Sequence, residues 1–352
     1  MGIDAPSRQS VFTPVKKNWF ASNKVQCPTC SEETNKLVCP HCHNNLPRDF
    51  QEDKPKKLAI AGDTYAGKSL FITVLIQELT KRNITIPFGL NITKEGDHTS
   101  RRYNRDFYEP LYVEKRFLDA TPYDDPDTKL PLMFRMSRDK DIRMSSGVPS
   151  SVYLSFYDRA GEEFLNEDWM AAELRYIANA DGIVVLIDPL QLDLFREFLE
   201  DKMVLPPKRD RHLDIVKNIH RLVCDKLRVK VDTRLDVPIA ICMTKMDYFY
   251  EYGKEIIDVN SRFTKKASYS SDMEITDAEL TTVSTEIESL LTDPRLGDES
   301  NFVSFVRNHF SNYTFLGVSS LGEVPEDEDS FAIKPRRVTD PIVWILRQFK
   351  FL

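Results

Sequence analysis

Leu58-Ala59-Ile60-Ala61-Gly62-Asp63-Thr64-Tyr65-Ala66-Gly67-Lys68-Ser69 runs from four apolar residues into a turn bounded by two glycines and closed by a lysine and a hydroxyl. The apolar run is short enough for a buried strand. The residues after it, Leu70, Phe71, Val74, Leu75 and Leu79, recur at helical spacing. Strand, glycine turn and helix in this order form a phosphate-binding loop. Gly62 and Gly67 let the backbone wrap so that successive amides face the phosphates, and Lys68 reaches their outer oxygens. Ser69 offers its hydroxyl to magnesium, and the positive end of the helix adds to the anion site.

Downstream, four further apolar runs read as strands. Val152-Tyr153-Leu154-Ser155-Phe156-Tyr157 leads into Asp158-Arg159-Ala160-Gly161-Glu162. Gly182-Ile183-Val184-Val185-Leu186-Ile187 ends at Asp188. Val237-Pro238-Ile239-Ala240-Ile241-Cys242-Met243 leads into Thr244-Lys245-Met246-Asp247, and Tyr313-Thr314-Phe315-Leu316-Gly317-Val318 into Ser319-Ser320-Leu321. Near-continuous aliphatic strands separated by helical patterns predict an α/β protein with a mostly parallel sheet covered on both faces. Asp340 reads as the N-cap of a closing helix, with Pro341 at its first position. Residues 205–235 and 248–301 read as helical insertions; the second carries a capping box, Thr276 to Glu279.

The order of these motifs resembles the translation-factor and Ras-like class of P-loop GTPases, an α/β three-layer sandwich here enlarged by insertions. The resemblance assigns Asp158 to magnesium through water and the Gly161 amide to the γ-phosphate. It gives Asp247 the task of accepting hydrogen bonds from guanine N1 and N2, with the Lys245 stem on the base and Thr244 at the position more often held by Asn. Ser319, Ser320 and Leu321 match the loop whose amide meets guanine O6, and Gly62, Asp63, Thr64, Tyr65, Ala66, Gly67, Lys68, Ser69 and Leu70 form the phosphate side. A threonine of the first switch should complete the magnesium shell: Thr121 in Thr121-Pro122 is preferred, and Thr128, closer to the apolar stretch at 130–136, stays open. The region between helix and that stretch is long and polar, as a nucleotide-ordered switch would be. Glu162 stands where Ras-like enzymes carry the glutamine that orients water. A carboxylate beside the γ-phosphate adds unfavourable charge, so the implied chemistry is slow GTP hydrolysis, with Lys68, Glu162 and Thr121 as catalytic groups and a partner-supplied arginine as accelerator.

At the front, Cys27-Pro28-Thr29-Cys30 and Cys39-Pro40-His41-Cys42 place four of the six cysteines within one short segment. Two Cys-x-x-Cys knuckles make a tetrahedral zinc set. A pair of disulfides is the competing reading, disfavoured in a reducing compartment. So short a segment has almost no apolar core, and metal would supply its folding energy. The expected organisation is a flexible 1–23, a zinc ribbon over 24–50, a linker at 51–56 and the nucleotide domain over 57–352. As a whole chain this is similar to a bacterial family known as the double-GTPase domain, thought to act with partner proteins.

With 41% hydrophobic and 29% charged residues and a net charge of −7, the composition is that of a soluble protein without a basic face for nucleic acid. No aliphatic stretch is long enough for a bilayer span, and 1–20 lacks a signal-peptide core, so cytoplasmic residence is expected. The expected ligands are GTP or GDP, Mg2+ and Zn2+, and the expected partner is a protein effector or activator, a second GTPase or a second copy among them. An assembly ATPase and a ribbon-led nucleic-acid adaptor are the competing functions. Metal analysis of the purified chain should return one zinc per molecule, lost in Cys27→Ser and in Cys39→Ser; a zinc-free native chain would remove the ribbon.

Overall fold

The computed structural model describes residues 25–26, 33–34, 37–38, 45–46, 56–62, 66–81, 89–119, 130–138, 151–156, 176–208, 212–253, 260–265, 276–293, 299–325 and 331–352. At the front are two small antiparallel hairpins. Strand β1 (Val25–Gln26) pairs with β2 (Glu33–Thr34), and β3 (Leu37–Val38) with β4 (Asn45–Leu46). In the chain, each Cys-x-x-Cys falls between the two strands of one hairpin, but Cys27, Cys30, Cys39 and Cys42 themselves lie outside the described residues.

A seven-stranded sheet forms the main body. Its elements in chain order are β5 (Lys56–Gly62), α1 (Lys68–Leu79), β6 (Leu90–Lys94), α2 (Gly96–Tyr103), β7 (Leu132–Arg138), β8 (Ser151–Phe156) and β9 (Gly182–Ile187). Then come α3 (Asp193–Leu199), α4 (His212–Leu227), β10 (Ile239–Met243), α5 (Asp247–Tyr252), α6 (Asp277–Leu291), α7 (Ser300–His309), β11 (Tyr313–Gly317) and α8 (Asp340–Gln348). The spatial order is β11-β10-β9-β5-β8-β7-β6. Strands β8, β5, β9, β10 and β11 are parallel, while β7 and β6 add an antiparallel edge. The result is a mixed, mostly parallel α/β sheet.

Why the aliphatic runs became central strands follows from burial on both faces: all six residues of β9 and all five of β10 are buried. Parallel neighbours cannot be joined by a hairpin and need a crossover. Helix α4 is the crossover from β9 to β10, and α6 and α7 lie in the one from β10 to β11, so the helical stretches read as insertions carry helices that the topology requires. The chain leaves β5 toward β8 on one side and returns through β9 on the other. That reversal opens a crevice at the carboxyl ends of the strands, the usual ligand position in such sheets.

One expectation is corrected. Within the region read as a long polar switch, residues 89–119 hold β6, α2 and a π-helical segment, Asn104–Val113. Tyr103, Phe107 and Leu111 are buried there, and the Tyr103 ring meets Phe134 edge-on at 5.3 Å. Four-residue spacing puts these three side chains on one face, which packs on the sheet and holds an otherwise polar segment in place.

At the far end, α8 begins at Asp340 itself, and Thr339 holds the N-cap position without a side-chain cap hydrogen bond; the Asp340 carboxylate is engaged elsewhere. It accepts from Arg337 Nη1 at 2.7 Å, while Arg337 Nη2 donates to Glu279 Oε1 at 2.5 Å. The Arg337 and Asp340 side chains are 1% and 0% exposed. Thr276 caps α6 as read, its hydroxyl accepting from the Glu279 amide at 3.1 Å. Arg337→Met should destabilise the fold by about 3–5 kcal/mol in denaturant unfolding, since it strands a buried carboxylate. A loss under about 1 kcal/mol, the range of exposed pairs, would show that this ion network does not hold the C-terminal helix.

Candidate nucleotide-binding site

The phosphate side begins where β5 ends. Gly62 is in register with Leu186 of β9. Gly67 then takes φ +69° as the residue before α1, a left-handed conformation that costs an L side chain about 1–2 kcal/mol. The first helical bond runs from the Phe71 amide to the Gly67 carbonyl at 2.8 Å, which leaves the amides before it without intrahelical partners. No acidic residue lies in the first turn of α1. The helix start is therefore electropositive and suited to an anion. Ala66 is fully buried beneath it, and Lys68, Ser69 and Leu70 are half-buried on the first turn. The turn is braced from below: Thr73 Oγ1 donates to the Ser69 carbonyl at 2.7 Å, and the Tyr103 hydroxyl donates to the Thr73 carbonyl at 3.1 Å.

Asp63, Thr64 and Tyr65 lie outside the described residues, as do Thr121, Thr128, Asp158, Gly161 and Glu162. Strand β8, which leads toward Asp158, pairs directly with β5, with Ala59 opposite Ser155. Of the expected magnesium ligands only Ser69 is described, on the first turn of α1, and the chemistry of a hydroxyl beside an electropositive helix start fits a phosphate-bound cation.

The base side is built where β10 and β11 end. The Thr244 amide and hydroxyl both donate to the Ile187 carbonyl, at 2.9 and 3.1 Å. Lys245 then turns the chain with φ +52°, and its ammonium meets Asp188 Oδ2 at 2.8 Å. Asp188 is buried, and its other carboxylate oxygen accepts from the Leu190 amide at 3.0 Å. Asp247 opens α5 and is only 5% exposed. Its Oδ1 accepts from Ser319 Oγ at 2.6 Å, and the same Ser319 Oγ accepts from the Gly322 amide at 2.7 Å. The Met246 amide donates to the Val318 carbonyl at 3.2 Å. The two motifs expected to read the base are thus hydrogen-bonded to each other, through Asp247 and Ser319. Ser320 is half-buried and Leu321 buried beside them.

Burial pushes the Asp247 carboxyl above the usual carboxylate range, against the opposing pull of the Ser319 hydrogen bond. Ionising a group raised in this way opposes folding, so its contribution is most favourable at low pH and is lost as pH rises through the raised range. A ligand that donates hydrogen bonds reverses the preference, because it needs the anion. Binding of such a ligand should weaken as pH falls into that range. The carboxylate fits an imide-and-amine edge such as that of guanine, which presents two adjacent N–H donors.

One strand, β9, lies between β5 and β10 in the sheet. Gly62 stands beside Leu186 and Met243 beside Ile187, so the phosphate loop and the base loop start about 10 Å apart, two strand spacings. A single nucleotide spans that distance. Asp188 at the end of β9 occupies the ground between them and was missed as a site residue. Its signal was an acidic residue closing a fully aliphatic strand.

No family model matches the chain. It is 27% identical over 348 residues, 92% of its own length and 84% of the relative's, to a Mycolicibacterium smegmatis protein, SaeC, named for a proposed role in ESX-1 scaffolding and assembly. Among solved structures it is similar to the Arl6 (BBS3) small GTPase of Trypanosoma brucei with a bound nucleotide analogue: 12% identity, 84% of this chain, 98% of that chain, TM-score 0.31. It is also similar to the GTP-bound Ski7 GTPase-like domain of S. cerevisiae, at 10% identity, 84% of this chain, 50% of that one and TM-score 0.32. Among the described residues no helix is long and apolar enough to cross a membrane.

Ser319→Ala removes the donor to Asp247 and strands the Gly322 amide in a buried site. It should cost about 1–3 kcal/mol in unfolding experiments, and wild-type stability would mean that the two loops are held together by other contacts.

Proposed function

We propose that the protein is a guanine-nucleotide-dependent switch that hydrolyses GTP slowly with magnesium and acts on protein partners. The observation that carries this reading is the Asp247–Ser319 hydrogen bond at the same sheet edge as the Gly67 turn. It ties the loop after β10 to the loop after β11, and the first of these starts two strand spacings from the phosphate loop. Adenine offers an acceptor at N1 where guanine offers a donor, so a buried carboxylate favours guanine and is left unpaired by adenine.

In this reading Lys68 and the amides at the start of α1 hold the phosphates, while Ser69, Asp158 and Thr121 hold magnesium. The metal, when bound, neutralises charge on the transferring phosphoryl group. Thr244 fixes the base turn to β9, and Lys245, steered by Asp188, lays its stem beneath the base. Glu162 accepts a hydrogen bond from the attacking water but brings a negative charge to an already anionic centre, hence the slow intrinsic rate. An arginine from a partner would accelerate it by about 10³- to 10⁵-fold. Cys27, Cys30, Cys39 and Cys42 hold zinc in a ribbon that docks a partner, an assignment that rests on knuckle spacing and the two hairpins that frame it. The scaffolding and assembly role in the name of the relative favours protein partners over nucleic acid.

Competition of GTP and ATP against fluorescent GDP tests the reading. GTP should displace the probe, ATP should not, and Asp247→Ala should weaken GDP by about 100-fold or more, the worth of two charge-assisted hydrogen bonds at about 1.5–3 kcal/mol each. Equal displacement by ATP would favour an assembly ATPase instead. In single-turnover assays the isolated protein should cleave GTP slowly; fast, partner-independent cleavage would contradict the role given to Glu162.

A further inference from the structure

Between β11 and α8 the chain turns back onto the base loop. The Ser319 amide donates to the Arg336 carbonyl at 3.0 Å and the Arg336 amide to the Ser319 carbonyl at 2.8 Å, while the Lys334 amide donates to the Leu321 carbonyl at 2.7 Å. The approach is so close that a Cβ on Gly322, at φ +84°, would lie 1.8 Å from the Lys334 carbonyl oxygen. Both ends of this strap are fixed. Phe331 stacks on Phe117 at 4.4 Å, and Arg337 is locked by Asp340 and Glu279.

The strap carries a second arginine with a different environment. Arg337 holds two carboxylates, whereas Arg336 has none within ion-pair distance among the described residues. Its guanidinium lies 4.7 Å over the Tyr250 ring and donates to the Thr264 carbonyl at 3.3 Å, and its Nε is buried without a hydrogen-bond partner among the described residues. Tyr250 is one turn along α5 from Asp247 and is pinned by its hydroxyl, which donates to the Phe263 carbonyl at 3.0 Å. Two cations act on the Asp247 carboxylate, Lys245 and Arg336. Lys245 is already compensated by Asp188 at 2.8 Å. The Tyr248 and Tyr250 phenols also face Asp247, both raised first by burial and therefore neutral, and beside Tyr250 the charges of Arg337 and Asp340 offset one another. Arg336 is left as the cation whose charge is not already spent.

We propose that Arg336 is a positioning residue for base recognition: the strap holds its guanidinium over Tyr250 as the counter-charge to Asp247, so that the carboxylate meets the N–H donors of guanine as an anion. This rests on the guanine site proposed above. It makes the strap part of the nucleotide site, although no residue of it belongs to the motifs that read phosphate or base.

The test is fluorescent GDP affinity measured across about pH 5 to 8 for wild type, Arg336→Met, Arg336→Lys and Tyr250→Leu, with unfolding midpoints recorded for each. Removing the cation should move the acid-side loss of affinity to higher pH, so Arg336→Met binds about tenfold more weakly on the acid side and recovers toward wild type at the alkaline end. Arg336→Lys should restore most of the profile. Tyr250→Leu, which frees the guanidinium but leaves the strap intact, should shift it in the same direction by less. If Arg336→Met folds and its pH profile superimposes on wild type, or if Arg336→Lys is no better than Arg336→Met, the inference is overturned while the guanine site stands. If Arg336→Met does not fold, an unshifted profile in Tyr250→Leu overturns it equally. Failure of the guanine site itself shows differently, as wild-type protein that does not prefer GDP to ADP.

Discussion

Parallel pairing of β5, β9, β10 and β11 is the constraint on which the rest depends. It sends every carboxyl end to one edge of the sheet and every connection over its faces, so residues nearly 260 positions apart in the chain meet at a single crevice. Gly62, Asp188, Thr244 and Ser319 are all within two residues of a strand end; Gly62 and Thr244 are held by β9, and Asp188 and Ser319 bond to the neighbouring loops. The Thr244 amide on the Ile187 carbonyl and the Met246 amide on the Val318 carbonyl extend the ladder beyond the strands and into the loops. The loops therefore inherit the rigidity of a sheet in which β9 and β10 are fully buried.

Within that frame the electrostatics divide cleanly. The phosphate end is positive by construction: a helix start without acidic residues in its first turn, and a lysine. The base end is negative, with Asp247 and Asp188 both buried and each given a different means of bearing its charge. Asp188 takes an ammonium and a backbone amide. Asp247 takes a serine hydroxyl, a backbone hydrogen bond and the nearby charges of Lys245 and Arg336. A nucleotide has the opposite distribution along its length, anionic at one end and donor-rich at the other. In the proposed reading, that match would orient a bound nucleotide before any finer recognition operates.

The central strands and the glycine turn were legible from sequence because their signals are local. Aliphatic runs such as 183–187 have one reading when turn residues bound them, and Gly67 before Lys68 marks a backbone conformation other residues resist. What sequence did not show was held by distant partners. Tyr103, Phe107 and Leu111 sit in a strongly polar stretch, and contacts such as those of Tyr103 with Phe134 and Phe107 with Phe156 give α2 and the π-helical segment a place. The strap at 331–337 has no periodicity at all; it is ordered by backbone bonds to the base loop and by the Arg337 ion network. Asp340 illustrates the same competition on a smaller scale, since its sequence context suits an N-cap and a buried arginine claims its carboxylate first.

Amide hydrogen exchange with and without nucleotide addresses the central claim most directly, because it asks whether one ligand engages both ends of the crevice. Mg-GDP should slow exchange together in the segments around 66–70, 244–247 and 319–322, and ADP should leave the last two unchanged. Protection confined to the phosphate loop, or equal protection by both nucleotides, would contradict the account.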